Sequence, residues 1–277
     1  VKWKQFLTPV TKLTADDLRS FLDERAPDTF TLLDVREPKE YQARHLPGAR
    51  LMPSGQVSER FGELDPGQPT VVYCAVGGRS RAASQFLSGR GFREVYNLAG
   101  GLKAWDGAAA FGPPETGLTD LSGSETEGDF LIWAYSQEKG LEEFYRTMGR
   151  QVASAEAAAL FTTLADVEDK HQLRVFEMYR RFDPARDTIE RFEAGIDPAT
   201  LEGGLTTEQY LDHYRPHLET PAEVVMLAMA IETQALDLYH RYADLAAGEQ
   251  VRRAALALAA EERGHLRQLA ALLDRVS

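Results

Sequence analysis

Twice in this chain a glutamate is followed thirty residues later by Glu-x-x-His: Glu138 precedes Glu168 and His171, and Glu232 precedes Glu262 and His265, 94 positions further on. The surroundings repeat as well, Glu138-Lys139-Gly140-Leu141-Glu142-Glu143-Phe144-Tyr145 aligning with Glu232-Thr233-Gln234-Ala235-Leu236-Asp237-Leu238-Tyr239. A helix rises 1.5 Å per residue, so about 13 residues outward from Glu138 and as many back return the chain to one level, roughly 20 Å from the turn. Each glutamate lies in an apolar stripe: Ala134, Leu141 and Tyr145 beside Glu138, Phe161, Leu164 and Val175 beside Glu168. Ala228, Leu236 and Tyr239 flank Glu232, and Leu258, Leu266 and Leu269 flank Glu262. Four carboxylates aimed at a core carry a severe desolvation penalty unless something neutralises them, and two divalent metals would do so. Glu138, Glu168, His171, Glu232, Glu262 and His265 are the candidate ligands. Mixed carboxylate and imidazole donors suit iron, or manganese, better than magnesium or calcium.

The periodicity predicts four long helices, from Asp129 to about Gln151, Ser154 to Phe182, Thr220 to about Ala246, and beyond Gly248 to near Arg275. Thr220 with Glu223 forms a capping-box signature. The stretch from Asp183 to Glu219 is too long for a hairpin and holds one helical piece, Thr206 to Tyr214. Two short hairpins joined by one long crossover describe an all-α, ferritin-like four-helix bundle over 129–277. His213, His217 and His240 have no matching partners and read as surface or crossover residues.

Residues 1–106 read differently, as short apolar runs alternating with amphipathic ones. Thr14 can cap a helix through Leu22, Phe30 to Val35 reads as a strand, and Pro38 to Ala43 as a short helix. Ala49 to Met52 is a possible short strand, Thr70 to Cys74 a central one, Arg79 to Leu87 a helix, Val95 to Leu98 a strand, and Gly101 to Trp105 a helical turn. Such alternation implies an α/β unit with a mainly parallel sheet flanked by helices. Between them, 107–128 is rich in Gly, Pro and Ser without an apolar period and reads as a linker or a strap over one domain.

Cys74 is the only cysteine in the sequence, at the end of a predicted strand. Ala75-Val76-Gly77-Gly78-Arg79 follows, and its two glycines let successive backbone N–H groups converge on one centre, reinforced by the positive end of the next helix. Such a nest favours a thiolate, and equally the terminal sulfur of a persulfide. Cys74 is therefore the candidate nucleophile, with Ala75, Val76, Gly77, Gly78 and Arg79 as its binding loop. Arg79 either favours anionic donors at the pocket wall or pairs with a nearby carboxylate.

Leu33-Asp34-Val35-Arg36, Glu40-Tyr41 and His45-Leu46-Pro47-Gly48-Ala49, then Tyr73 to Ser80, then Asn97 to Trp105 resemble three ordered signatures of the rhodanese family. The resemblance implies double displacement, with Cys74 taking sulfane sulfur from a small-molecule donor and passing it to cyanide or a thiol. It implies bracing rather than reacting roles for Asp34, Arg36 and His45. A cysteine phosphatase would need five residues between Cys and Arg, and this chain has four. Ala75 stands where some thiosulfate-using relatives place a basic residue, which favours a persulfide donor. Residues 129–277 in turn resemble rubrerythrins and bacterioferritins, which implies a di-iron centre and possible action on peroxide or oxygen. Rubrerythrins usually carry a further Glu where this chain has Ala235, and a Cys₄ rubredoxin module that one cysteine cannot build. An external electron donor is the implied partner. Tyr145 and Tyr239 read as hydrogen-bond partners near the metals, redox-active residues or ordinary core tyrosines.

Hydrophobic residues at 43% and charged residues at 27% are those of a soluble globular chain, and no apolar stretch approaches a membrane span. Val1 to Gln5 lacks the basic-then-apolar layout of a secretory signal. A net charge of −12 opposes nucleic-acid and anionic-lipid partners. A lone cysteine permits no disulfide within the chain, so the expectation is a cytoplasmic protein, dimeric through its helices, with its sulfur acceptor external. A persulfide carrier or sensor with negligible turnover, its helices serving for dimerisation and iron binding, is the alternative.

Overall fold

A computed structural model of the chain describes residues 10–119, 121–185, 188–193, 204–214 and 218–277. The Val1 to Gln5 segment and His217 lie outside the described residues. The chain divides into two compact units, Val1–Glu115 and Thr116–Ser277.

In the first unit five strands, β1 (Thr11–Leu13), β2 (Thr31–Asp34), β3 (Arg50–Leu51), β4 (Thr70–Tyr73) and β5 (Val95–Leu98), form one sheet in the order β1-β5-β4-β2-β3. All its pairings are parallel. Helices α1 (Ala15–Glu24), α2 (Pro38–Ala43), α3 (Val57–Arg60) and α4 (Gly78–Ser88) connect them. Successive strand side chains point to opposite faces, and here both sets are apolar because both faces are covered. Leu32, Val71, Tyr73 and Leu98 pack with Leu18, Phe21, Tyr41 and Trp105. Leu33, Val35, Val72 and Cys74 pack with Val57, Ala83 and Leu87. Full burial of each Leu, Val or Phe contributes about 1.5–3 kcal/mol. Thr14 caps α1 as its sequence indicates, accepting from Asp17 N while the Asp17 carboxylate accepts from Thr14 N.

The second unit contains α5 (Glu127–Gln151), α6 (Ala155–Phe182), α7 (Ile189–Glu193), α8 (Thr207–Tyr214), α9 (Pro221–Leu245) and α10 (Glu249–Val276). Helices α5 and α6 pack along each other, as do α9 and α10, and the two hairpins close on a shared core that includes Phe130, Tyr135, Val175, Tyr239 and Leu258. Capping boxes at Thr126 and Thr220 start α5 and α9. No helix among the described residues is long and apolar enough to cross a membrane.

Two features depart from the sequence reading. Strand β1 was not expected, and two of its three residues are exposed. Helices α3 and α7, of four and five residues, are too short to show a period. The 107–128 segment makes specific contacts: Ala110 exchanges backbone bonds with His45, Gly112 N donates to Gln42 O, Leu121 is buried in the bundle core, and Gly123 O accepts from Ala247 N. Side chains hold it too: Arg241 Nη1 donates to Thr116 O and the Tyr242 hydroxyl to Glu125 Oε2.

Candidate functional site

Strand β4 ends at Tyr73 and α4 begins at Gly78, so Cys74 to Gly77 form the turn between a central strand and a helix N-terminus. Gly77 makes this turn with φ of +97°, a left-handed conformation that a side chain would strain. Gly77 N donates to Cys74 Sγ at 3.1 Å and the Ser80 hydroxyl donates at 3.4 Å. The carbonyls face the other way: Cys74 O accepts from Leu102 N at 2.8 Å and Ala75 O from Lys103 N at 3.0 Å. The turn that supplies those donors depends on Gly101, whose φ is +60° and where an added Cβ would lie 2.3 Å from Cys74 O. Gly101→Ala therefore displaces the loop, with an expected cost of roughly 1–3 kcal/mol and at least about a tenfold loss of sulfur loading. Loading unchanged by mass spectrometry would show that the loop adapts.

Burial of the Cys74 thiol opposes its ionisation, but hydrogen bonds from the Ser80 hydroxyl and from backbone N–H groups of Ser80, Val76 and Gly77 outweigh it, and the thiol pKa is lowered. Iodoacetamide alkylation of Cys74 should accordingly titrate with a midpoint below the ordinary thiol value of about 8.5. A Ser80→Ala exchange should move that midpoint upward, and a wild-type midpoint above the ordinary value would mean that burial prevails. Ser80 is a candidate residue of this site that the sequence reading left without a role. Val76, at the tip of the loop, is exposed.

The Arg79 guanidinium forks onto Glu40 of α2, Nη1 to Oε2 and Nη2 to Oε1, both at 2.7 Å. Arg79, expected either at the pocket wall or paired, is thus paired, and its bonds hold the Glu40 carboxyl down at about 2. Asp34 and Arg36 form a buried ion pair at 2.6 Å, with Arg36 Nη2 also donating to Arg44 O. His45 stacks on Tyr41, and its Nδ1 lies 2.8 Å from Tyr41 O. These contacts brace the corner that follows β2.

In the helical unit the six expected ligands gather as two triads, Glu138 with Glu168 and His171, and Glu232 with Glu262 and His265, each offering ligand atoms within 4.8 Å of one another. Each triad belongs to one hairpin. His171 Nδ1 lies 2.7 Å from Glu168 and 3.7 Å from Glu138, and His265 Nδ1 lies 2.9 Å from Glu262 and 3.5 Å from Glu232. The two imidazoles stack on each other, 3.7 Å between centroids, which brings the triads face to face. All four glutamates are at most 3% exposed. Burial, joined by the charges of Glu232 and Glu138, pushes the Glu168 carboxyl up to about 8. Burial alone would lower His171, but the neighbouring carboxylates of Glu138 and Glu168 hold it up at about 11. Glu232 is lowered, since the Glu262 carboxyl and the His265 and His171 imidazoles beside it outweigh its burial.

Glu138 Oε2 and Glu232 Oε2 are buried without a hydrogen-bond partner. Such orphaned carboxylate oxygens, aimed at imidazole nitrogens, fit a divalent cation. Tyr145 packs against Phe144 and Phe161, and Tyr239 against Phe130 and Trp133. His213 on α8 and His240 on α9 belong to neither triad. A groove of about 890 Å³ between α6 and α10, lined by Lys170, His171, Leu173, Arg174, Glu261 and His265 among others, reaches both imidazoles.

A nested cysteine at a strand–helix junction in one unit, and in the other a four-helix bundle with two carboxylate–histidine triads that could each hold a metal ion, define the class of protein. Residues 14–108 match the family described as Rhodanese-like domain, and residues 129–219 match the family described as Rubrerythrin. The chain is 43% identical over 76 residues to the uncharacterized protein YqhL of Bacillus subtilis, covering 27% of this chain and 60% of that one. It is 35% identical over 102 residues to the Rhodanese-like/PpiC domain-containing protein 12, chloroplastic, of Arabidopsis thaliana, covering 35% and 34%. Against the thiosulfate sulfurtransferase GlpE of Pseudoalteromonas translucida it is 34% identical over 77 residues, covering 28% and 73%. The chain thus spans less than two thirds of the first two of these relatives. It belongs to the rhodanese-like family through its first unit and carries a rubrerythrin domain in its second.

Proposed function

We propose that the protein is a sulfurtransferase that carries sulfane sulfur as a persulfide on Cys74, joined to a bundle that holds two iron ions. The converging donors on Cys74 Sγ carry the sulfur reading. The Cys74 thiolate attacks the outer sulfur of a small-molecule donor. The donor's S–S bond breaks, its electron pair leaves with sulfite or a thiolate, and a new S–S bond remains on Cys74. An external thiolate or cyanide then takes the outer sulfur and Cys74 departs as thiolate. The Gly77 N–H and Ser80 hydroxyl stabilise sulfur's negative charge. Arg79 and Glu40 flank the loop.

In the second unit Glu138, Glu168 and His171 would hold one ion and Glu232, Glu262 and His265 the other. Four buried carboxylates balance two divalent charges. Bound iron supplies redox chemistry toward peroxide or oxygen, with electrons from an external donor. The chain's own part is to keep the four carboxylates buried and to admit small molecules along the α6–α10 groove toward the imidazoles. One preparation tests both readings: intact-mass analysis should detect one added sulfur after incubation with a donor, removable by cyanide, and elemental analysis about two irons per chain. Absence of the added sulfur would refute the first reading, and absence of iron after reconstitution the second.

A further inference from the structure

The Arg79–Glu40 pair has a consequence for the donor. Glu40 is held on α2, where its Oε2 also accepts from Glu37 N at 3.1 Å, so the carboxylate is anchored at both ends of its reach. Its fork on Arg79 sets an anion against the guanidinium, which itself lies within reach of the Cys74 thiol, so the cation beside the sulfur loop is largely offset. Attack of a thiolate on thiosulfate brings one negative charge onto a dianion. Attack on a hydropersulfide, Cys–S⁻ + HS–SR giving Cys–S–SH + RS⁻, carries a single negative charge throughout. A free guanidinium would offset the first of these far more than the second.

We propose that Glu40 is a specificity-determining residue which, by cancelling the Arg79 charge, directs Cys74 toward persulfide donors of low charge and away from dianionic thiosulfate. This rests on the sulfur-transfer reading. Side chains at 35% exposure on both partners place the pair where solvent screens it but does not erase its field.

The test is a charge series read as kcat/KM with cyanide as acceptor, for thiosulfate and for hydroxyethyl persulfide. Glu40→Gln leaves a carbonyl oxygen for the α2 cap and frees the cation, so the local charge rises by one. Arg79→Ala leaves the carboxylate alone and lowers the charge by one, and the double variant is neutral like the wild type. The expected order for thiosulfate is Glu40→Gln above wild type, wild type near the double variant, and Arg79→Ala lowest, with about tenfold between steps. The persulfide should show a logarithmic slope at most half as steep. Raising ionic strength with the unaltered protein gives an arm independent of mutation. A cancelled pair leaves thiolate–thiosulfate repulsion dominant, so salt should raise kcat/KM for thiosulfate. A fall with salt would mean an uncancelled guanidinium and overturn the proposal. Equal losses with both donors in the single variants, unrelieved in the double, would also overturn it and reduce Glu40 to a brace. Wild type that takes sulfur from neither donor would overturn the sulfur-transfer reading itself, whereas active wild type with an unmoved donor ratio overturns only the role of Glu40.

Discussion

Cys74→Ser is expected to reduce sulfur transfer from thiosulfate or a persulfide to background while the sheet unit stays folded. A hydroxyl oxygen neither ionises at neutral pH nor holds a sulfane sulfur, so double displacement has no carrier. Cys74 is the only cysteine of the chain, and no neighbouring thiol can substitute. Stability should change by only about 1 kcal/mol, because the serine oxygen inherits the hydrogen bonds that Gly77 N and Ser80 direct at Cys74 Sγ. The checks are cyanide-dependent turnover, intact mass after donor treatment and thermal unfolding. Residual turnover that persists after repurification would place the sulfur elsewhere.

Replacing His171 and His265 together by alanine should have the largest effect on the bundle. Iron content should fall from about two per chain to well below one, since each triad loses its only nitrogen ligand. The chelated protein should also suffer, because His171 and His265 lie 2.7 and 2.9 Å from glutamates that are almost wholly buried. Breaking a buried ion pair costs about 3–5 kcal/mol, and the second break costs less because the stranded carboxyls take up protons. The melting temperature of the helical unit should fall by roughly 10 °C. Cys74 chemistry should be spared, as the ligands and the thiol belong to different units. Glu138→Gln combined with Glu232→Gln provides the contrast. It should also be poor in iron, yet at least as stable as chelated wild type, since amides remove carboxylate repulsion at the two oxygens that lack partners. A histidine double variant that keeps its iron, or that melts with chelated wild type, would remove the metal role from these side chains.

How much of this was legible in the sequence depends on the kind of contact. The triads were legible because a buried carboxylate is an anomaly in an apolar stripe, and the anomaly occurs twice at one spacing. Strand β4 and the turn after it were legible because Thr70 to Tyr73 are all buried, which a β-branched, apolar run announces. Strand β1 was not, since it joins the sheet by backbone bonds to β5 and exposes Thr11 and Lys12. The partner of Arg79 was equally hidden: Glu40 stood in a quoted signature, but 39 positions separate them, and only the fold brings α2 beside α4. Ser80 sat in the loop motif in plain view, yet a serine in a helix's first turn is common enough that nothing tied it to the sulfur.

Under the proposed sulfur transfer, the outward-facing carbonyls of the Cys74 loop bear on the rate at which sulfur is loaded and unloaded. With Cys74 O and Ala75 O held by Leu102 N and Lys103 N, the peptide planes of the turn are already oriented when sulfur arrives. In water, moving negative charge from one sulfur to the next would require solvent dipoles to rotate, and that reorganisation is a large part of a barrier to charge displacement. Here the dipoles are set during folding, by the backbone bonds that Leu102 N and Lys103 N of a glycine turn donate to the loop. On the proposed chemistry the loop would act as a pre-set solvent for a migrating charge, with loading and unloading passing through nearly the same environment.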